Sequence, residues 1–137
     1  MRPFSSALDR LRTVGLRPTR QRLALAKLLF DKGHRHVTAE DLHQEARDLD
    51  VGVSLATVYN TLHQFTTAGL LREVVVDAGR SYFDTNNTEH HHFFLADGGE
   101  LRDIPADGLR VAELPAPPDG TRISRVDVVV RVKREER

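Results

Sequence analysis

From Ser6 the apolar positions Leu8, Leu11 and Val14 recur at helical spacing, and Gly15 stops the run. A second helix opens at Pro18 and Thr19, carries Leu23, Ala26, Leu29 and Phe30 as its buried stripe, and closes at Asp31-Lys32-Gly33 with glycine just past the end. Thr38 is suited to cap a third helix, and Asp41 stands where a capping-box acid belongs. Leu42, Ala46 and Leu49 are expected to face inward and the outer face to be acidic. The fourth helix runs from Ser54 as N-cap through Leu55, Val58, Leu62 and Phe65 to Ala68, and Gly69 ends it.

Beyond Gly69 the period changes. Leu71–Val76 and Ser81–Asp84 are short β-rich runs joined by Asp77-Ala78-Gly79-Arg80, a turn that makes a hairpin, and helices followed by a hairpin suggest a winged helix. Asn86-Asn87-Thr88-Glu89 reads as a hinge. A strand is expected over His90–Ala96, a turn at Asp97-Gly98-Gly99, a strand over Glu100–Ile104 and a loop over Leu114–Gly120, with a weak helical signal between Ala106 and Glu113. The last strand, Val126–Val132, puts Val126, Val128, Val130 and Val132 on one face. The pattern predicts an α+β chain: an N-terminal winged-helix DNA-binding domain over residues 1–85, then a small α/β domain over 86–137. About 50 residues are few for an independent core, so the second domain is expected to complete itself against a copy of itself, as a homodimer.

With 137 residues and no cysteine, the chain cannot form disulfides, thiolate nucleophiles, iron–sulfur clusters or a sulfur-built structural zinc site. No GxGxxG, P-loop or GxSxG pattern supports nucleotide binding or acyl transfer. No stretch approaches the roughly 18 uncharged apolar residues of a membrane helix, and the N-terminus lacks a signal-type apolar core, so a cytoplasmic protein is expected. The 20 basic and 20 acidic residues cancel overall, but residues 1–30 carry a net +6 and each later segment is mildly negative. Arg2, Arg10, Arg12, Arg17, Arg20, Arg22 and Lys27 therefore make a cationic front suited to phosphate. Arg12, Arg17 and Arg20 are the candidates for phosphate or minor-groove contact.

The fourth helix supplies a reading element. With Leu55, Val58, Leu62 and Phe65 turned inward, Ala56, Thr57, Tyr59, Asn60 and His63 face outward, and Ser54 stands at the start. Short polar side chains, a tyrosine and an asparagine near a helix N-terminus can contact thymine methyls, adenine edges and phosphates in a major groove. Ser54, Thr57, Tyr59 and Asn60 are the candidates; an ordinary solvated helix face is the alternative. His90-His91-His92 is the most specific chemical signal. On a strand, His90 and His92 share a face while His91 points away, with Asp84 upstream and His36 on the loop before the third helix. Nitrogen plus carboxylate suits Fe²⁺, Mn²⁺ or Zn²⁺, and histidine also ligates haem. A two-His-one-carboxylate iron enzyme built on His90, His92 and Asp84 would need a substrate pocket that the sequence does not supply.

Leu16-Arg17-Pro18-Thr19-Arg20-Gln21-Arg22, then His36-Val37-Thr38-Ala39-Glu40-Asp41-Leu42, then Ala56-Thr57-Val58-Tyr59-Asn60-Thr61-Leu62 together resemble the ferric uptake regulator (Fur) superfamily in wording and spacing. The resemblance covers nearly the whole chain. It implies a transcription regulator, not an enzyme, in which a winged-helix domain reads an inverted-repeat operator in double-stranded DNA as a homodimer. It also implies that a hinge metal sets the angle of the DNA-binding domains. Its hinge ligands fall on His36, Asp84, His90, His92 and Asp103. Relatives with a structural zinc hold it in two CxxC pairs; Leu95-Ala96-Asp97-Gly98 stands at the first, so that zinc is expected to be absent. The His run, the Phe93-Phe94 after it and the Cys-free chain are most similar to the iron response regulator (Irr) branch. That likeness implies haem sensing through His90, His91 and His92, with DNA released when haem binds. Aspartate at position 84 is similar to the peroxide-sensing branch, so a Fe²⁺- or Mn²⁺-activated repressor and an iron-dependent peroxide sensor stand as alternatives.

Overall fold

The computed structural model of the chain describes residues 5–86, 88 and 90–135. Arg2 of the basic front, Asn87 and Glu89 of the expected hinge, and Glu136 and Arg137 of the charged tail lie outside the described residues. The chain divides into two compact units, Met1–Asn87 and Thr88–Arg137. The whole is α+β.

The first unit holds four helices: α1 (Ser5–Thr13), α2 (Arg20–Phe30), α3 (Ala39–Asp48) and α4 (Leu55–Thr67). Thr19 caps α2 by accepting the Arg22 N–H at 3.2 Å. Two of the expected stripes are displaced. Helix α1 buries Ala7 and Leu11, with Leu8 and Val14 only half-buried, and α2 buries Leu25, Ala26, Leu28 and Leu29 while Leu23 and Phe30 are half-buried. Helix α2 packs against both α1 and α3, so its apolar arc is wider than one stripe and is centred on the two interfaces.

Helix α3 forms the complete capping box. The Thr38 hydroxyl accepts the Asp41 N–H at 3.0 Å, and the Asp41 carboxylate accepts the Thr38 N–H at 3.3 Å. Replacing Thr38 with Ala is expected to destabilise the protein by about 1 kcal/mol, read as a lower urea midpoint at unchanged slope. Leu49, expected to face inward, is 64% exposed. The helix ends at Asp48, and Asp50 adopts the left-handed conformation at φ 56°. The Val51 N–H then bonds back to the Ala46 carbonyl at 2.8 Å and the Asp50 N–H to that of Arg47 at 3.0 Å, which is a Schellman closure. The closure turns Leu49 out and packs Val51 against the core in its place.

The wing sheet contains β1 (His36–Val37), β2 (Arg72–Asp77) and β3 (Arg80–Asp84), in the order β1-β3-β2 and antiparallel throughout. The hairpin was legible in the sequence; β1 was not, because two residues carry no period. Hydrogen bonds to a distant segment create it. Arg35 N–H donates to the Thr85 hydroxyl at 2.8 Å and Thr85 N–H to the Arg35 carbonyl at 3.0 Å, fastening His36 beside Asp84.

The second unit is a three-stranded sheet of β4 (His92–Leu95), β5 (Glu100–Asp103) and β6 (Val129–Val132), ordered β5-β4-β6, with β5 antiparallel and β6 parallel to β4. Phe94, Leu101 and Ile104 are buried. His90 and His91 precede the strand expected to contain them, and Val126 and Val128 precede β6. The weak helix over 106–113 does not form, and this unit shows no helix among its described residues. Gly108 explains that: its N–H closes a turn onto the Pro105 carbonyl at 2.7 Å, and eight residues with glycine near the start are too few to nucleate a helix. Among the described residues no helix is long and apolar enough to cross a membrane.

Candidate functional site

The expected ligands lie in two sets, one in each unit. In the first, His36 on β1 stands directly opposite Asp84 on β3, with His36 Nε2 3.2 Å from Asp84 Oδ2. Asp84 is fully buried, and its Oδ1 accepts the Asn86 N–H at 2.9 Å, leaving Oδ2 directed at the imidazole.

In the second, His92 pairs with Asp103 across the β4–β5 ladder. His90 Nε2 lies 3.0 Å and His92 Nε2 3.3 Å from the same oxygen, Asp103 Oδ1, and the two rings sit with centroids 4.5 Å apart. His90 Nδ1 is 2.7 Å from the Thr88 carbonyl, which accepts only, so Nδ1 carries a proton. In a neutral His90 the Nε2 lone pair therefore faces a carboxylate oxygen, a contact that is repulsive until a proton or a cation lies between them. A carbonyl holding Nδ1–H so that Nε2 can ligate is the usual outer support of a metal-bound histidine.

His91 does not join them. Its Nδ1 accepts the Val128 N–H at 3.1 Å, and the His92 N–H donates to the Val128 carbonyl at 3.1 Å, so His91 fastens the entry of β6 to β4. That bond places the proton of the neutral ring on Nε2. Haem ligation through Nε2 would require the other tautomer and the loss of the bond. Beside His90 and His91 lies a cavity of about 380 Å³ lined by apolar side chains that include Leu109, Val111, Leu114 and Ile123.

The candidate DNA-reading residues all lie in the first unit. Arg12, Arg17, Arg20, Asn60 and Tyr59 are exposed. Ser54 and Thr57 are spent on the helix start: Ser54 Oγ accepts the Thr57 N–H at 3.0 Å and donates to the Thr57 hydroxyl at 2.9 Å, and Thr57 is half-buried. Two partnerships were not legible in the sequence. Arg22, counted with the cationic front, bonds to the Arg17 carbonyl at 2.9 Å and doubly to Gln64 Oε1 of α4 at 3.2 and 3.0 Å, pinning the basic turn beside the reading helix. The Tyr59 hydroxyl donates to Glu40 of α3 at 2.8 Å, and this bond raises the phenol pKa above its ordinary value. Tyr59 therefore stays a protonated donor across the physiological range. Arg10 stacks on Phe30 at 4.6 Å, so it serves packing.

A helical unit with a wing and a cationic front, followed in the chain by a small sheet bearing convergent imidazoles and carboxylate, defines a ligand-responsive DNA-binding regulator. Residues 13–130 match the ferric uptake regulator family. A ferric uptake regulation protein of Shigella flexneri is 33% identical over 104 residues, which cover 75% of this chain and 70% of that protein. Among solved structures, the ferric uptake regulator of Pseudomonas aeruginosa with manganese matches with a TM-score of 0.69 at 24% identity, over 95% of this chain and 98% of its own. The Vibrio cholerae ferric uptake regulator matches with a TM-score of 0.70 at 24% identity, over 91% and 97%. The chain belongs to the ferric uptake regulator family, whose members are dimeric, metal-responsive, DNA-binding transcription regulators and not enzymes.

Proposed function

We propose that this protein is a metal-activated regulator in which one Fe²⁺ or Mn²⁺ ion is shared by His36 and Asp84 with His90, His92 and Asp103, and in which the loaded homodimer holds an inverted-repeat operator. The observation that carries this reading is the convergence of His90 Nε2 and His92 Nε2 on one Asp103 oxygen, at 3.0 and 3.3 Å, with His90 Nδ1 already held by the Thr88 carbonyl. Three imidazoles and two carboxylates suit a borderline or hard divalent ion, and no thiolate competes for a softer one. The structure of the Pseudomonas aeruginosa relative with manganese supports the choice of ion. An ion ligated from both units would favour one interdomain geometry, and so would shift DNA affinity by its differential binding to the two states. The half-buried valines of β6, at a sheet edge, support a second copy as partner.

The chemistry of this chain's own residues is positional. Thr88 sets the His90 tautomer, Asn86 directs Asp84, and the basic turn held by Arg22 presents Arg17 and Arg20 to phosphate. Tyr59 and Asn60 are the base readers, while Ser54 and Thr57 shape the helix start that approaches the groove.

A second reading, DNA release by haem at His90–His92, draws on the apolar cavity beside His90 and His91. One experiment separates the two: selection of random-sequence duplex DNA on the purified protein in Mn²⁺ and in chelator, followed by haemin titration of the selected complex. The expected result is enrichment of an inverted repeat in Mn²⁺ only, with no Soret band that depends on His91. Equal enrichment in chelator, with haemin releasing DNA and a Soret shift lost in His91→Ala, would replace metal activation by haem sensing.

A further inference from the structure

One buried charge has no place in that scheme. Arg72 is the first residue of β2 and is 5% exposed; it stands directly opposite Asp84, which is 0% exposed. Since His36 faces Asp84 from β1, a single rung of the wing sheet reads His36, Asp84, Arg72 across the three strands. Directly opposed residues share a face with Cβ atoms about 5 Å apart, so Arg72 and His36 project on the same face as Asp84 from the strands on either side of it. Glu73, the next residue on β2, belongs to the other face by alternation. Val74 opposite Tyr82 continues the Arg72 face as a buried apolar row.

Arginine does not deprotonate in a protein interior, and a buried guanidinium is tolerated only beside compensating charge. Asp84 is the one anion of the rung. We propose that Arg72 is the built-in counter-charge of Asp84 and that it sets the metal affinity of the His36–Asp84 set. It half-neutralises the carboxylate that a divalent ion must use and places a positive charge one strand from that ion. The protein would consequently answer to a higher metal concentration than His36 and Asp84 alone dictate. The inference rests on the metal-activated reading and adds a residue that ligates nothing.

The test is titration of the full-length metal-free protein with Mn²⁺, following free Mn²⁺ by electron paramagnetic resonance, for the parent and Arg72→Gln, Arg72→Met and Arg72→Lys. Melting curves without metal identify the variants that fold. Both neutral variants are expected to bind Mn²⁺ roughly ten-fold or more tightly, as relief of a dication from a nearby unit charge predicts. Arg72→Lys, which keeps the charge, should match the parent. Two neutral substitutions are used so that either folded one decides. Unchanged or weaker binding in a folded neutral variant overturns the inference, as does Arg72→Lys tightening as much as Arg72→Gln. A parent that binds no Mn²⁺, or binds it equally after His36→Ala, removes the metal centre itself. Loss of binding in His36→Ala with no change in the Arg72 variants removes only the role of Arg72.

Discussion

Alanine at His36 and alanine at His90 are each expected to lower Mn²⁺ affinity by on the order of 100-fold or more, and to do so alike, although the two residues belong to different units. Even outer-sphere supports of a bound metal cost 10 to 100-fold when removed, so a direct ligand sets that as a floor. The equality is the sharper part. If one ion is shared, deleting a ligand from either unit weakens the same binding event, and each variant loses Mn²⁺-dependent DNA binding together with its stabilisation by Mn²⁺. Calorimetric titration reads both affinity and stoichiometry. Two independent ions would leave each variant with one normal site, and that outcome would sink the shared centre. His36 and His90 are preferable to His92 for this test, because His92 is 2% exposed and its truncation would also open a cavity.

Tyr59→Ala is expected to reduce operator binding by about 10 to 100-fold, the range of 1–3 kcal/mol carried by a good base contact, while leaving binding to unrelated duplex DNA almost unchanged. Arg17→Ala should behave oppositely, weakening binding to every sequence to a similar degree and lowering the magnitude of the salt slope by about one. Fluorescence anisotropy on the selected operator and a scrambled duplex, over a series of salt concentrations, measures both quantities. Equal losses on the two duplexes for both variants would remove the division between reader and phosphate contact. The Glu40 bond bears on the result, since Tyr59 must exchange a carboxylate acceptor for one on DNA. Part of its free-state geometry is thus set by α3.

Local signals were the legible ones. Thr38 and Asp41 marked the start of α3, because both halves of a capping box lie within three residues. Gly69 marked the end of α4, where φ is 87°. The hairpin of β2 and β3 followed from alternation around a turn at Gly79. Leu49 misled for the same reason: the helical period continued through it in the sequence, while the left-handed residue that ended the period was Asp50, an aspartate and not a glycine. The wider buried arc of α2 was hidden because periodicity reports one face, and α2 has partners on two.

By itself the sequence determined the helical order, the wing, the cationic front and the supply of imidazole and carboxylate side chains, since these depend on residue type and short-range spacing. It also ruled out sulfur chemistry through the absence of cysteine. Only the tertiary structure decided which side chains meet. His36 reaches Asp84 because a two-residue strand, fastened by Arg35 and Thr85, docks on β3 from nearly 50 residues away in the chain. His91 is separated from His90 and His92 because Val128, 37 residues on, claims its Nδ1. Arg72 stands against Asp84 because the irregularity between Val75 and Asp77 shifts the hairpin by one residue from the register of the Asp77–Arg80 turn pair, which alone would set Glu73 opposite Asp84. Cross-strand contact is fixed by backbone hydrogen bonding between distant segments, and no periodicity within either segment encodes it.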